Sequence, residues 1–146
     1  MISLADVPLT GHYYGVSSAF RIHTFLKLFP DGFWIIVDYV DANFDCSAYL
    51  RSLDFADLKQ RFPLGGCLRD EQRFRNSFGR FKRLADVPVR NGSGQEVGTY
   101  SDALVLWSWN SDGGEFQRSL LEIVGNGLLR DGMMAVDLEF VPDSKE

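Results

Sequence analysis

Two runs of alternating residues, Phe20 to Phe29 and Phe33 to Val40, meet at Phe29-Pro30-Asp31-Gly32, and no other stretch constrains the fold as tightly. Proline presets φ at the second turn position, aspartate tolerates the bridge region at the third, and glycine accepts a positive φ at the fourth. The chain therefore reverses here, and a β-hairpin over Phe20 to Val40 is expected.

Leu9 to Gly15 reads as a strand before it, and Ser17-Ser18 as a two-residue loop that sets Tyr13 opposite Ile22 and His12 opposite His23. Pairing Phe29 with Gly32 in the second hairpin sets Leu26 opposite Ile35 and Thr24 opposite Val37. A slip of one residue would put Asp38 among the apolar set, so the pattern selects this register. One face then carries Leu9, Tyr13, Phe20, Ile22, Leu26, Leu28, Phe33, Ile35, Val37 and Tyr39 and is the expected core. On the other face Phe25, Trp34 and Ile36 form an apolar patch, which needs a cover, a protein partner or a second copy of the chain.

The same register aligns His12, His23 and Asp38 across neighbouring strands. Those residue types suit a divalent transition metal, or an imidazole oriented by a carboxylate as a general base. The plainer reading is a surface ion pair beside a solvated imidazole. No fourth ligand or nucleophile follows from the spacing, so no metal and no cofactor is assigned.

Further along, Leu50, Leu53, Phe55, Leu58 and Phe62 recur at helical spacing, with Asp54 and Asp57 near a start and Pro63 as a stop. One amphipathic helix over Ser47 to Phe62 is expected, placed to cover the patch or cap a barrel end. From Ser77 onward short strands return, over Ser77 to Leu84, Val87 to Val89, Val97 to Tyr100, Ala103 to Trp109, Glu115 to Val124 and Met133 to Val141. Asn91-Gly92-Ser93-Gly94, Asn110 to Gly114, Gly125-Asn126-Gly127 and Arg130-Asp131-Gly132 supply the turns. About eight strands with one helix between the third and fourth predict a mainly β fold: an antiparallel up-and-down barrel or strongly curled sheet, in one domain over residues 1–146.

Composition agrees with a single globular domain. The 146 residues are 45% hydrophobic and 14% aromatic, which is ample core material rich in strand formers. The net charge of −5 opposes binding to phosphate backbones and anionic membranes, so nucleic acid and membrane surfaces are not expected partners. No apolar run reaches a transmembrane length, and the first twenty residues hold no Lys or Arg, so a cytoplasmic location is expected. Cys46 and Cys67 lie 21 apart with no metal-type spacing and read as reduced thiols.

Gly11-His12-Tyr13-Tyr14 on the first strand, Leu26-Lys27-Leu28-Phe29-Pro30-Asp31-Gly32 closing the next, and the late Gly98-Thr99-Tyr100 resemble the calycin group of lipocalin-like barrels. That resemblance implies an up-and-down barrel that binds an apolar ligand inside or uses its rim and outer wall for protein contacts. The group carries Gly-x-Trp on its first strand, packed on an arginine near the barrel's end; here Tyr13 stands in place of the Trp, with Arg118 or Arg130 as its arginine.

Tyr13, Tyr39, Trp107 and Trp109 are therefore the expected lining of the barrel interior, with Ala103 and Val105 sharing the tryptophans' face. So many rings would nearly fill a small barrel, leaving a modest cavity or none. Arg69, Arg73, Arg75, Arg80, Lys82 and Arg83, against Asp70 and Glu71, give a local charge of +4, while Asp38 to Asp57 and Asp131 to Glu146 each carry −4. Pairing of these blocks within the molecule is favoured over an acidic partner. No phosphate loop, nucleophile elbow or zinc-helix motif is present, and no catalytic residue is assigned. The expected function is a non-catalytic binding module for a small apolar molecule or a protein. An acidic inhibitor or immunity-type protein that neutralises a basic enzyme is the alternative.

Overall fold

A computed structural model describes residues 9–18, 20–70, 73–109, 112, 114–125, 127–132 and 136–142. Among them the chain forms Gly11–Val16 (β1), His23–Leu28 (β2), Phe33–Tyr39 (β3), Cys46–Ser52 (α1), Phe55–Arg61 (α2), Gly65–Asp70 (β4), Phe74–Arg90 (β5), Glu96–Trp109 (β6), Glu115–Gly125 (β7), Leu128–Asp131 (β8) and Val136–Val141 (β9). The sheet runs β3-β2-β1-β9-β8-β7-β6-β5-β4, all antiparallel, and an additional β3–β5 pairing closes eight of these strands into a barrel. The expected barrel architecture is therefore present, with β4 as an extra strand outside the ring.

The 17 residues of β5 make the closure. Its first half, Phe74 to Arg80, pairs with β3 on one side and, up to Gly79, with β4 on the other; from Arg80 onward it pairs with β6. Where one neighbour gives way to the next, Gly79 lies opposite Trp34, and a Cβ there would overlap the Trp107 carbonyl oxygen. The missing side chain lets β6 approach. Trp34 fastens the same seam, its Nε1 donating to the Arg80 carbonyl at 2.9 Å and the Trp107 carbonyl at 3.1 Å.

The two hairpin registers differ from those expected. In the first, Tyr13 faces Leu26 and His12 faces Lys27, because the chain spends residues 17–22 on a longer loop closed by the Ser17 amide on the Ile22 carbonyl. In the second, Leu26 faces Ile36 and Thr24 faces Asp38. Here Phe29 pairs with Phe33 through a 2.8 Å backbone bond, leaving a three-residue loop whose last member, Gly32, sits at φ 89°. That is a turn closed by the Gly32 amide on the Phe29 carbonyl at 3.1 Å and ending in a left-handed residue, one residue longer than the expected turn. The slip turns every β3 side chain to the other face. Alternation could not detect it, since Phe33-Trp34-Ile35-Ile36-Val37 is apolar throughout.

Both faces of β3 are in fact buried, by two separate cores. Inside the barrel Tyr13, Leu26, Leu28, Trp34, Ile36, Leu104, Leu106, Leu121, Leu129, Val136 and Leu138 form one contiguous cluster. Outside, Ile35, Val37, Tyr39 and Phe78 pack with Cys46, Leu50 and Leu58 of the helices, flanked by Phe25 and other rings. The single expected helix is two: Leu53 is extended and Asp54 caps α2 by accepting from the Asp57 amide at 3.0 Å, as Asp45 caps α1 through the Ala48 amide at 2.9 Å. The Phe25, Trp34 and Ile36 patch does not exist, because Phe25 lies under the helical layer while Trp34 and Ile36 are core.

Downstream, the expected breaks at Ala85-Asp86 and Ser101-Asp102 are absent, and β5 and β6 run through as one long hairpin. β4 and β8 carry no clear alternation and were not anticipated. Met133, Met134 and Ala135, expected at the start of the last strand, lie outside the described residues. The Gly79 seam predicts that Gly79→Ala lowers stability by at least about 2 kcal/mol in urea unfolding, because the new methyl meets backbone. Gly92→Ala, with nothing near its Cβ, should change stability by less than about 0.5 kcal/mol.

Candidate functional site

Asp38 is the centre of the most concentrated polar chemistry inside the barrel. The β3 register points it inward with Trp34 and Ile36, between Thr24 of β2 and Arg75 of β5. The Thr24 hydroxyl donates to its Oδ1 at 2.9 Å, and Arg75 Nη2 donates to its Oδ2 at 3.3 Å. From β7, Arg118 reaches the same carboxylate: its Nη2 stands 3.8 Å from Oδ2, an ion-pair distance but too long for a hydrogen bond. The Arg118 guanidinium stacks over the Trp34 ring, 5.5 Å from its centre, and Nη1 donates to Ser119 Oγ at 3.1 Å. Burial pushes the Arg118 pKa below its ordinary value; Asp38 opposes that shift, Arg75 adds to it, and Asp131 and Cys67 oppose it.

This end of the barrel is reachable from solvent. The Arg75 side chain is 43% exposed, whereas Asp38 is 16% and Arg118 21% exposed. Two guanidinium groups of graded burial thus converge on one carboxylate, above an indole ring. Such an arrangement fits a carboxylate or phosphate oxygen in the plane of the guanidiniums.

The residues singled out in the sequence are dispersed. Of the four rings expected in the interior, Tyr13 is there: its hydroxyl donates to the Leu9 carbonyl at 3.0 Å, its ring meets Phe140 edge-on at 5.5 Å, and burial raises its pKa. Tyr39 is in the outer layer instead, stacked on His23 at 5.0 Å, and burial pushes its pKa up to about 12. Trp107 and Trp109 are also outside, Trp107 under the Arg80 guanidinium at 5.7 Å and Trp109 against Phe62 at 5.4 Å. Leu104 and Leu106 take the inner positions of β6. Both faces of Ala103 to Trp109 are apolar, so composition could not say which turns in.

No His-His-Asp row forms. His12 packs on Phe25 at 5.3 Å, and His23 shares its Nδ1 with the Tyr14 hydroxyl at 2.6 Å, both outside the barrel, while Asp38 points inward. No group of three or more metal-ligating side chains occurs among the described residues. Tyr13 does not pack on Arg118 or Arg130: its neighbouring charge is Arg83, Arg130 pairs with Asp137 at 2.9 Å, and Arg118 takes the barrel-facing indole of Trp34.

The basic stretch pairs with the acidic blocks only in part. Arg75 meets Asp38 and Arg73 approaches Asp41 at 3.9 Å, but Arg80 and Arg83 find Glu115 and Asp102, outside the acidic blocks. Both cysteines are free thiols, Cys46 buried and Cys67 exposed. Burial, then the charge of Asp45, pushes the Cys46 pKa up to about 12.

Sequence reasoning missed Arg118 as an interior charge, although it was named as a barrel-end arginine. Its neighbours Phe116, Gln117 and Ser119 carry no alternation, and a register shift between Leu106 and Trp107 sets its direction. No helix among the described residues is long and apolar enough to cross a membrane. The fold and site define a closed antiparallel barrel with a helical layer outside and a charged cluster at one inner end. No family model, no curated protein and no solved structure matches this chain.

Asp38→Asn should cost about 1–3 kcal/mol in chemical denaturation, because Arg75 and Arg118 then face each other without a counter-charge. Asp57→Asn, which removes an exposed helix pair with Arg61, should cost less than about 0.5 kcal/mol. Equal effects would contradict an inward Asp38.

Proposed function

We propose that this chain is a non-catalytic binding module of calycin-like architecture, which takes a small amphipathic molecule with an anionic head at the Asp38 end of the barrel. The observation that carries the reading is Arg118: a guanidinium drawn into the barrel end, seated on an indole, and held to Asp38 at 3.8 Å without a hydrogen bond. Burying such a charge is costly unless its donors are used, and an anionic oxygen would use them. Arg75, half in solvent, supplies the second positive contact at the rim.

The packed interior limits the apolar part of the ligand. Eleven buried side chains, Trp34 among them, already fill the barrel's centre, so a ligand lies at the rim beside Arg75 and Arg118 and does not thread the barrel. This narrows the expectation of an apolar ligand lining up along Tyr13, Tyr39, Trp107 and Trp109, only the first of which faces inward.

Titration calorimetry with decanoate and with decyl phosphate tests the reading and separates the two head groups. One-to-one binding of at least one is expected, weakened about tenfold by Arg75→Gln and abolished by Arg118→Gln. Arg75→Gln should keep the wild-type melting temperature to within a few degrees, since the Arg75 side chain is 43% exposed and Thr24 and Arg118 still hold Asp38. Absence of binding to both compounds, or binding unchanged in both variants, would overturn the proposal.

A further inference from the structure

The β5–β6 hairpin outruns the barrel. β3 accompanies β5 no further than Arg80, with a last 2.8 Å bond from the Phe81 amide to the Gly32 carbonyl, and β7 accompanies β6 no further than Ala103. Beyond those points residues 85–90 and 96–102 pair with each other and with no other described strand. Among the described residues they form a two-stranded ribbon with two open edges, each a row of backbone donors and acceptors that another strand could use.

The two edges are not equivalent. The β5 edge carries Lys82 just before the ribbon, a proline at Pro88 that lacks an N–H, and Asp86 in the left-handed region at φ 55°. These are the features that keep an edge from pairing. On the β6 edge, Val97-Gly98-Thr99-Tyr100-Ser101 has no charge and no proline, and Val97 is 60% exposed. One edge is protected and the other is left open.

We infer that the β6 edge over residues 96–102 accepts an extended, basic segment of a different protein as an added strand. At roughly 3.3 Å per residue the open edge is about 20 Å long, enough for a six- or seven-residue segment. Charge selects the occupant. The exposed acids of the ribbon are Asp86 and Glu96, while Arg90 is turned back to donate to the Gly94 carbonyl at 3.1 Å. A cation opposite Glu96 therefore gains a counter-charge.

A second copy fits poorly. Paired antiparallel about Thr99, Glu96 would face Asp102, which Arg83 already neutralises through bonds of 2.9 and 2.5 Å, and so would gain no cation; paired parallel in register, Glu96 would face itself. Like charges directly opposite destabilise a strand pair, and each molecule carries −5 overall. The inference is independent of the ligand at the Asp38 end, since the ribbon shares no residue with that cluster.

Panning a phage-displayed library of random linear nonapeptides against the immobilised full chain tests it. Enriched peptides should alternate β-branched residues and carry Lys or Arg, and a synthetic consensus peptide should perturb amide resonances of residues 96–102. Glu96→Lys, an exposed change that leaves the fold intact, should weaken that peptide about tenfold. A chain in which Asn-Gly replaces residues 87–100 should not bind it. No enrichment, peptides without basic residues, equal binding to Glu96→Lys, or a wild-type dimer that dissociates when the ribbon is shortened would each overturn the proposal.

Discussion

The left-handed glycine at position 32 sets the register on which the rest of the molecule depends. With Gly32 at φ 89°, Phe29 pairs with Phe33 across three residues, and Trp34, Ile36 and Asp38 turn into the barrel. Trp34 can then donate to the Arg80 and Trp107 carbonyls at the seam left open by Gly79, and offer its ring to Arg118. A two-residue loop would send Ile35 and Val37 inward and Trp34 to the helical layer. The hydrophobic effect alone would barely distinguish the two, since apolar side chains exchange for apolar ones. Turn geometry and the indole's hydrogen bonds decide it.

That near-degeneracy explains which parts of the structure were legible in the sequence. The last strand alternates cleanly over Val136, Asp137, Leu138 and Glu139, buried and exposed in turn, while Phe140, in step with the buried pair, is 44% exposed. The turn residues announced a chain of closely spaced strands, and the barrel followed. Where a strand is buried on both faces, as β3 and the inner half of β6 are, periodicity loses its meaning. The assignments that failed there are the patch at Phe25, Trp34 and Ile36 and the interior places of Tyr39, Trp107 and Trp109.

Asp38 failed for a different reason. Its charge was used to choose a register that kept it out of the apolar set, on the rule that carboxylates face water. Inside, Thr24, Arg75 and Arg118 share it, and the barrel end at which they meet is open enough to solvate Arg75. A buried carboxylate is tolerable when partners converge, and partners from β2, β5 and β7 converge here through contacts distant in sequence. The long hairpin was missed because Ala85-Asp86 and Ser101-Asp102 resemble turns, yet the strands run through them, with Asp86 absorbing a left-handed residue at the ribbon's root. Charge cluster and ribbon edge thus lie on different parts of one barrel.

The register of the β2–β3 hairpin is the central claim, and cross-strand proton contacts in an isotope-labelled sample measure it most directly. With the register described, nuclear Overhauser contacts are expected between the side chains of Leu26 and Ile36 and between Thr24 and the Asp38 β protons. Contacts of Leu26 with Ile35 and of Thr24 with Val37 in their place would contradict it, and would move Trp34 and Asp38 out of the barrel.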